Sequence, residues 1–151
     1  MKSHLDVLML SATPIPRSLN LALSGLKTIS LLTTAPYMRK SIRTIVHAWN
    51  AGVVKSAIEY ELSRGGQILI LHNRILSIDP LKREIEAIFG DGEKTPRIIV
   101  THGKLSGDEI DTRIHAFKRR EYDILISTTI IENGVNFLSA NTILITDPEN
   151  F

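Results

Sequence analysis

Short apolar runs alternate with amphipathic stretches along the chain. Five runs have the length and composition of buried strands: residues 7–10, 67–71, 97–101, 123–127 and 141–146. Three stretches between the later runs repeat apolar residues at helical spacing: residues 50–64, 77–89 and 107–120. From residue 50 onward the pattern predicts the order α-β-α-β-α-β-β. Strands that are apolar throughout are typical of a parallel sheet buried on both faces by helices, so the predicted fold class is α/β.

Polar residues, glycines and prolines mark the ends of these elements. Asn50 is a predicted helix N-cap, and Ser106 opens a Ser-x-x-Glu sequence with the form of a capping box. Gly65-Gly66 is expected to end the first helix, because glycine readily takes the left-handed conformation found there. Ser77 is expected to begin the second helix, which puts Pro80 in its first turn.

The part of the chain before residue 50 is less regular. Residues 18–26 carry apolar side chains at helical spacing, while residues 28–33 and 41–49 are rich in strand-forming side chains. Residues 34–40, which include a proline, have the composition of a linker. We therefore expect a linker and a leading strand before the first helix of the α/β domain.

Composition describes an ordinary globular domain and excludes few functions. Of the 151 residues, 43% are hydrophobic and 23% charged, with a net charge of +2. The absence of cysteine excludes disulfides and thiolate metal sites, and the histidines lack ligand spacing. No apolar run approaches the roughly 20 residues of a membrane helix, and the N-terminus lacks the apolar core of a signal peptide. We expect a cytoplasmic protein with no metal site and no membrane partner.

Polar residues follow three of the predicted strands, where parallel sheets bind their ligands. They are His72-Asn73-Arg74, His102-Gly103, and residues 128–136, which begin with Thr128-Thr129. Their imidazole, amide, guanidinium and hydroxyl groups can all donate to phosphate. The helix after Gly103 is expected to present free N–H groups to an anion. Taken singly, the first two segments are also typical of plain polar loops.

Four segments occur in an order that resembles the motifs of superfamily 2 helicases. Ser11-Ala12-Thr13-Pro14, within residues 11–25, is similar to motif III, and His72-Asn73-Arg74 is similar to motif IV. His102-Gly103 resembles part of motif IVa, and residues 128–134, Thr-Thr-Ile-Ile-Glu-Asn-Gly, closely resemble motif V. The combination is similar to transcription-repair coupling factors and RecG helicases, and it covers nearly the whole chain.

The resemblance implies a role for each segment. Motif III, which couples nucleotide state to DNA contact, corresponds to Ser11, Ala12, Thr13, Pro14 and Arg17. The groups that contact the DNA backbone correspond to His72, Asn73, Arg74, His102, Gly103, Thr128 and Thr129. The nucleotide side of motif V corresponds to Glu132, Gly134 and Asn136.

The resemblance also implies a fold and a division of the chain. The fold is a RecA-like parallel sheet with flanking helices, of the P-loop NTPase type, here the helicase C-terminal lobe without the ATP-binding P-loop. Residues 1–26 correspond to the end of the first RecA-like lobe, residues 27–49 to the linker and leading strand, and residues 50–151 to the second lobe. The arginine-rich motif VI is missing, so we expect a piece of a longer protein, truncated before that motif.

The activity implied for the parent protein is ATP-driven translocation on double-stranded DNA, which displaces stalled RNA polymerase and recruits excision-repair proteins through other domains. ATP and Mg²⁺ are the implied cofactors of the parent. This chain has no Gly-x-x-x-x-Gly-Lys-Ser/Thr loop for phosphate and no Asp-Glu-x-x box to hold magnesium. We therefore expect no bound cofactor and no ATPase activity in the chain alone.

The sequence departs from the family pattern at two positions, and two alternative functions remain open. Asn136 stands where the family usually has aspartate, and Asn133 where it has threonine, so nucleotide coupling is expected to be weakened. A RecG-type fork-remodelling helicase fits motifs III and V equally well. A non-catalytic α/β binding module is the alternative from another class, favoured by Asn136 and by the missing motifs.

Overall fold

The computed structural model describes residues 8, 10, 24–25, 28–34, 41–90, 95–128 and 137–150. The chain divides into two compact units, Met1–Thr44 and Ile45–Phe151. The predicted domain limits at residues 26 and 49 are not tested by this division and stay predictions.

The first unit has no helix or strand among its described residues. Residues 28–33 and 41–49, the second of which runs on into the next unit, were expected to form strands, and this prediction is wrong. Their apolar side chains are largely exposed, as for Leu32 at 92% and Ile42 at 87%. Strand-forming side chains give a strand only where a neighbour takes up the backbone hydrogen bonds, and no described ladder includes these residues.

The second unit is a parallel sheet with helices, which confirms the predicted α/β fold class. The strands are β1 (Gln67–Leu71), β2 (Ile98–Thr101), β3 (Ile124–Ser127) and β4 (Ala140–Ile145). The helices are α1 (Ala51–Ser63), α2 (Ile75–Phe89), α3 (Gly107–Lys118) and a final 3-10 turn (Pro148–Asn150). The described strands lie in the order β2-β3-β1-β4, and every pair is parallel. None of the described helices has the length and hydropathy that a membrane span requires.

Two apolar layers hold the sheet together, one on each face. The larger joins α1 and α2 to alternate residues of the strands, and its members Ile58 of α1, Ile70 of β1 and Ile126 of β3 are fully buried. The smaller centres on Phe117 of α3, which packs against Leu69 and Leu125. Strand β4 differs from the predicted double burial, because as an edge strand it alternates partly buried and exposed positions.

Most of the predicted helix ends are confirmed. The Asn50 side chain accepts from the amides of Gly52 and Val53, and Gly65, with φ of 74°, lies just past the end of α1. The start of the second helix is wrong by two residues. Helix α2 begins at Ile75, so Pro80 is its sixth residue and not part of the first turn.

An ion pair joins Arg97 and Asp123, the residues immediately before β2 and β3. The Asp123 carboxylate accepts from the Arg97 amide at 2.8 Å, from Nε at 3.0 Å and from Nη2 at 2.8 Å. Burial alone would raise the pKa of Asp123, but these hydrogen bonds outweigh it and hold the pKa below its ordinary value of 3.8. The pair therefore stabilises the fold wherever this carboxylate is ionised.

Stability at acid pH is expected to reflect this pair. Asp123→Asn should lower the free energy of unfolding by about 1–2 kcal/mol at pH 7, since charged hydrogen bonds are lost at a partly exposed site. The folded pKa is depressed, so the contribution is complete well above pH 3.8 and is lost as the pH falls through the folded pKa. Urea denaturation of parent and variant between pH 7 and 3 should show the difference shrinking only below about pH 4. Asp79→Asn, at an exposed position, is the control, and an equal loss there would contradict the assignment.

Candidate functional site

The carboxyl ends of the four strands meet at one edge of the sheet. In register, Ser127 lies beside both Leu71 and Thr101, and Leu71 lies beside Ile145. The next residues continue the row, because the amides of His72, Thr128 and Thr146 donate to the carbonyls of neighbouring strands at 2.9, 3.3 and 3.0 Å. The segments that begin at His72, His102 and Thr128 are therefore brought together, as the sequence predicts for a parallel sheet.

His72 lies inside this edge, with its ring engaged by the protein. Nδ1 is 2.6 Å from the Thr146 hydroxyl and Nε2 is 2.7 Å from the Ser77 hydroxyl. The residue is 6% exposed, and burial lowers the pKa of the imidazole below its ordinary value. The ring is thus neutral at pH 7, and it presents no free donor to a phosphate in this arrangement.

Arg74 is the exposed cation of the same loop. It is the N-cap of α2, and its guanidinium makes no hydrogen bond or ion pair with the described residues. The first turn of α2 contains no acidic residue, and no side chain caps it. An arginine beside the positive end of an uncapped helix dipole favours an anion such as phosphate.

Asn73 lies between the buried histidine and this arginine. Its Nδ2 donates to the carbonyl of Asn150 at 2.9 Å, while its Oδ1 is enclosed without a partner in the described structure. The amide therefore ties the loop to the turn that follows β4. The enclosed Oδ1 can only accept a hydrogen bond, so this atom does not suit phosphate.

The loop after β2 is less suited to an anion than the sequence indicates. Ser106 and Glu109 form the predicted capping box, in which each side chain bonds the other's backbone amide. Asp108 and Glu109 also put two carboxylates in the first turn of α3. Hydrogen bonds from Ser106 hold the pKa of Glu109 below its ordinary value, so the carboxylate stays ionised at neutral pH. The helix was expected to offer free N–H groups to an anion. This expectation is wrong for the amide of Glu109, which Ser106 takes up, and the two carboxylates oppose a second negative charge there.

The remaining groups of this loop are a histidine and a glycine. His102 is partly buried, and its Nδ1 is enclosed with no hydrogen-bond partner in the described structure. Gly103 is exposed in the turn, where its lack of a side chain leaves the backbone accessible. The two are adjacent to the edge, as predicted from the sequence.

The string Asp108-Glu109-Ile110-Asp111 matches Asp-Glu-x-x in letters, although no such box was expected. It lies in the first two turns of α3 rather than at a strand end, and Glu109 is engaged by Ser106. The described residues contain no group of three or more histidine or acidic side chains placed to hold a metal ion.

Thr128 is buried, and a chain of hydroxyl groups supports it. The Thr101 hydroxyl donates to the Ser127 hydroxyl at 3.0 Å, which donates to the carbonyl of Thr128 at 2.7 Å. Thr128 itself is 6% exposed, so the start of the segment that resembles motif V is fixed to the sheet. The other predicted site residues lie outside the described residues: Ser11, Ala12, Thr13, Pro14, Arg17, Thr129, Glu132, Gly134 and Asn136.

Four supporting hydroxyl residues were missed from the sequence: Ser77, Thr101, Ser127 and Thr146. A usable signal existed for Thr101 and Ser127, since each is the polar last residue of an apolar strand. No local pattern indicates that Thr146 meets a histidine 74 residues earlier in the chain.

Comparison with known proteins identifies the domain. The profile of the helicase conserved C-terminal domain matches residues 51–150. The chain belongs to this helicase family. The match covers all the helices and strands described above, so the helicase C-terminal domain is the α/β unit itself.

Relatives of this helicase domain are similar over nearly all of its length. A transcription-repair-coupling factor from Myxococcus xanthus is 37% identical over 99% of the chain, and one from Bacillus subtilis is 38% identical over 98%. The structure of RecG bound to a three-way DNA junction is 33% identical, covers 93% of the chain and 18% of RecG, and has a TM-score of 0.67. Both resemblances inferred from the motifs are confirmed. The chain spans 12% of the length of either coupling factor.

Proposed function

We propose that this helicase domain is the second RecA-like lobe of an ATP-dependent translocase on double-stranded DNA. The observation that carries the proposal is the edge at which four parallel strands bring together three polar segments. The relatives support the proposal by their names. Those that match nearly the whole chain are called transcription-repair-coupling factors, and a similar structure is RecG bound to a three-way DNA junction. Displacement of stalled RNA polymerase, and contact with excision-repair proteins, are proposed for the whole protein through other domains.

The DNA-binding groups of the proposal lie along this edge. Arg74 supplies the charge and α2 its uncapped amides, while Gly103 admits a phosphate close to the backbone. His102, Thr128 and Thr129 are proposed as further contacts, and His72 and Asn73 as supports of the Arg74 loop. Such contacts go to phosphate and sugar, so binding is expected to be independent of sequence and sensitive to salt.

ATP and Mg²⁺ are proposed for the parent protein only. The residues present do not fit a nucleotide, because the chain lacks a phosphate-binding glycine loop and the described part lacks an acidic cluster for the metal. We propose coupling roles for motif III, which is Ser11, Ala12, Thr13, Pro14 and Arg17, and for the nucleotide side of motif V, which is Glu132, Gly134 and Asn136.

A binding experiment on the 151-residue chain tests the proposal. Arg74→Ala is expected to weaken binding to a fluorescent linear duplex by about ten-fold at low salt, because one phosphate contact is lost. The slope of log K against log salt should fall by about one unit for the same reason. Fluorescence anisotropy across a salt series measures both quantities.

The matched control for this experiment is Arg83→Ala. Arg83 is an exposed arginine on the same helix, eight residues beyond the helix start and so away from the edge. Equal loss in both variants would mean that charge alone, and not the edge, carries binding. A chain that binds no duplex at low salt would contradict the proposed function and favour a non-catalytic binding module.

RecG-type fork remodelling is a second candidate, favoured by the similarity to RecG in complex with a three-way junction. The full-length protein distinguishes the two. Preferred binding and unwinding of a three-way junction over linear duplex would favour the second candidate. ATP-dependent displacement of a stalled polymerase would favour the first.

A further inference from the structure

His72 connects three separate pieces of backbone at the sheet edge. Its Nδ1 meets the Thr146 hydroxyl, which also bonds the carbonyl of Leu71 at 3.2 Å. Its Nε2 meets the Ser77 hydroxyl, which lies 3.3 Å from the carbonyl of Arg74. The ring therefore spans the end of β4, the end of β1 and the start of α2.

Either neutral tautomer of His72 satisfies both ring nitrogens. With the proton on Nδ1, the Thr146 hydroxyl accepts it and donates to the Leu71 carbonyl, while the Ser77 hydroxyl donates to Nε2. With the proton on Nε2, the Ser77 hydroxyl accepts it and donates to the Arg74 carbonyl, while the Thr146 hydroxyl donates to Nδ1. The second tautomer forms a continuous path of hydrogen bonds from Thr146 to Arg74.

A second connection runs parallel to the first. The Asn73 side chain donates to the carbonyl of Asn150. The chain turns sharply at Asp147, where φ is 48°, and the Asn150 amide closes this turn by donating to the Asp147 carbonyl at 3.0 Å. The loop between β1 and α2 is thus bonded twice to the segment that follows β4. Neither bond belongs to the β-ladder, so both depend on side chains.

We propose that His72 is a positioning residue that couples the end of β4 to Arg74, so that a displacement of the segment after β4 moves the phosphate-facing loop. In the tautomer protonated on Nε2, Arg74 is held through its carbonyl, which accepts from both the amide and the hydroxyl of Ser77. His72 holds that hydroxyl in turn, and Thr146 holds His72. The inference rests on the proposed role of Arg74 in binding DNA.

The experiment compares the same change, threonine to valine, at two positions: Thr146, just after β4, and Thr142, within β4. Thr146→Val removes the hydrogen-bond partner of His72 Nδ1, and we expect about three-fold weaker duplex binding, since a buried ring nitrogen loses its partner and the ring reorients. The same change should cost almost nothing in an Arg74→Ala background, because the effect travels through Arg74. Anisotropy titrations of the single and double variants supply this comparison.

Thr142→Val is the matched control. The Thr142 hydroxyl donates to the buried Glu61 carboxylate at 2.5 Å, so its loss also removes one hydrogen bond from a buried polar group. It lies within β4, four residues before Thr146, away from the edge. We expect a comparable loss of stability in urea denaturation and unchanged DNA affinity. Equal loss of affinity in both variants, or additive losses of Thr146→Val and Arg74→Ala, would overturn the proposal.

Amide chemical shifts supply a readout that does not depend on DNA. Thr146→Val and His72→Phe should both move the ¹⁵N–¹H resonances of residues 74–77, whereas Thr142→Val should leave them in place. If the parent fails to bind duplex DNA but these shifts appear, the proposed function is wrong and the coupling stands. If the parent binds and residues 74–77 do not respond, the coupling is wrong.

Discussion

Replacing Phe117 with alanine is expected to lower the free energy of unfolding by about 4 kcal/mol, the range for a large aromatic residue removed from a core. Phe117 is fully buried and is the centre of the smaller apolar layer, which has fewer residues to close the resulting cavity. Urea denaturation followed by circular dichroism measures the loss. A decrease below about 1.5 kcal/mol would contradict the packing described for α3.

Phe137 provides the internal test of this prediction. Its ring contacts Phe117 edge to face, with centroids 5.5 Å apart and planes at 71°. Phe137→Leu should cost less, because its side chain is only partly buried. In the double variant the two losses should fall short of additivity by about 1 kcal/mol, the usual energy of an aromatic pair.

Replacing Gly66 with alanine is expected to lower the free energy of unfolding by about 3 kcal/mol, the upper range for overpacking. A Cβ at this position would overlap the carboxylate of Glu61 and come within 2.9 Å of its Cγ. Glu61 has no room to yield, because it is fully buried and bonded to Arg64 and Thr142 at 2.5 Å each. Chemical denaturation of the variant measures the effect.

Gly66→Ala should have little effect on stability once the Glu61 side chain is removed by substitution with alanine. In a Glu61→Ala background the overlap disappears, so adding Gly66→Ala should change stability by less than about 0.5 kcal/mol. Gly107→Ala is a positional control, since a Cβ there meets nothing within 4 Å. A large effect of Gly66→Ala without Glu61 would indicate a backbone cause instead of the collision.

The sequence was a good guide wherever one residue type decides the local structure. Asn50 caps α1, Ser106 and Glu109 form their box, and β1 has the predicted limits. These features depend on neighbours within a few residues, or on continuous apolar composition. The common edge of the strand ends was also predictable, because parallel topology alone requires it.

The polar side chains at this edge were less predictable, because long-range partners determine what each one does. His72 was expected to face DNA, and its nitrogens instead meet Thr146 and Ser77. Glu61 occupies a helical position that the apolar stripe does not reveal, yet it is fully buried against Thr142, 81 residues away. A local pattern cannot indicate whether a polar group has such a partner.

The strand order has a consequence for synthesis. β1 is the first strand of the domain, yet it lies between β3 and β4, whose residues follow it by more than 50 positions. As the chain leaves the ribosome, Ile68 and Ile70 have no strand beside them until β3 has emerged, and strands on both sides only after β4 has emerged. Contacts of such long separation close slowly, so the nascent domain is expected to expose these isoleucines to chaperones until β4 is made.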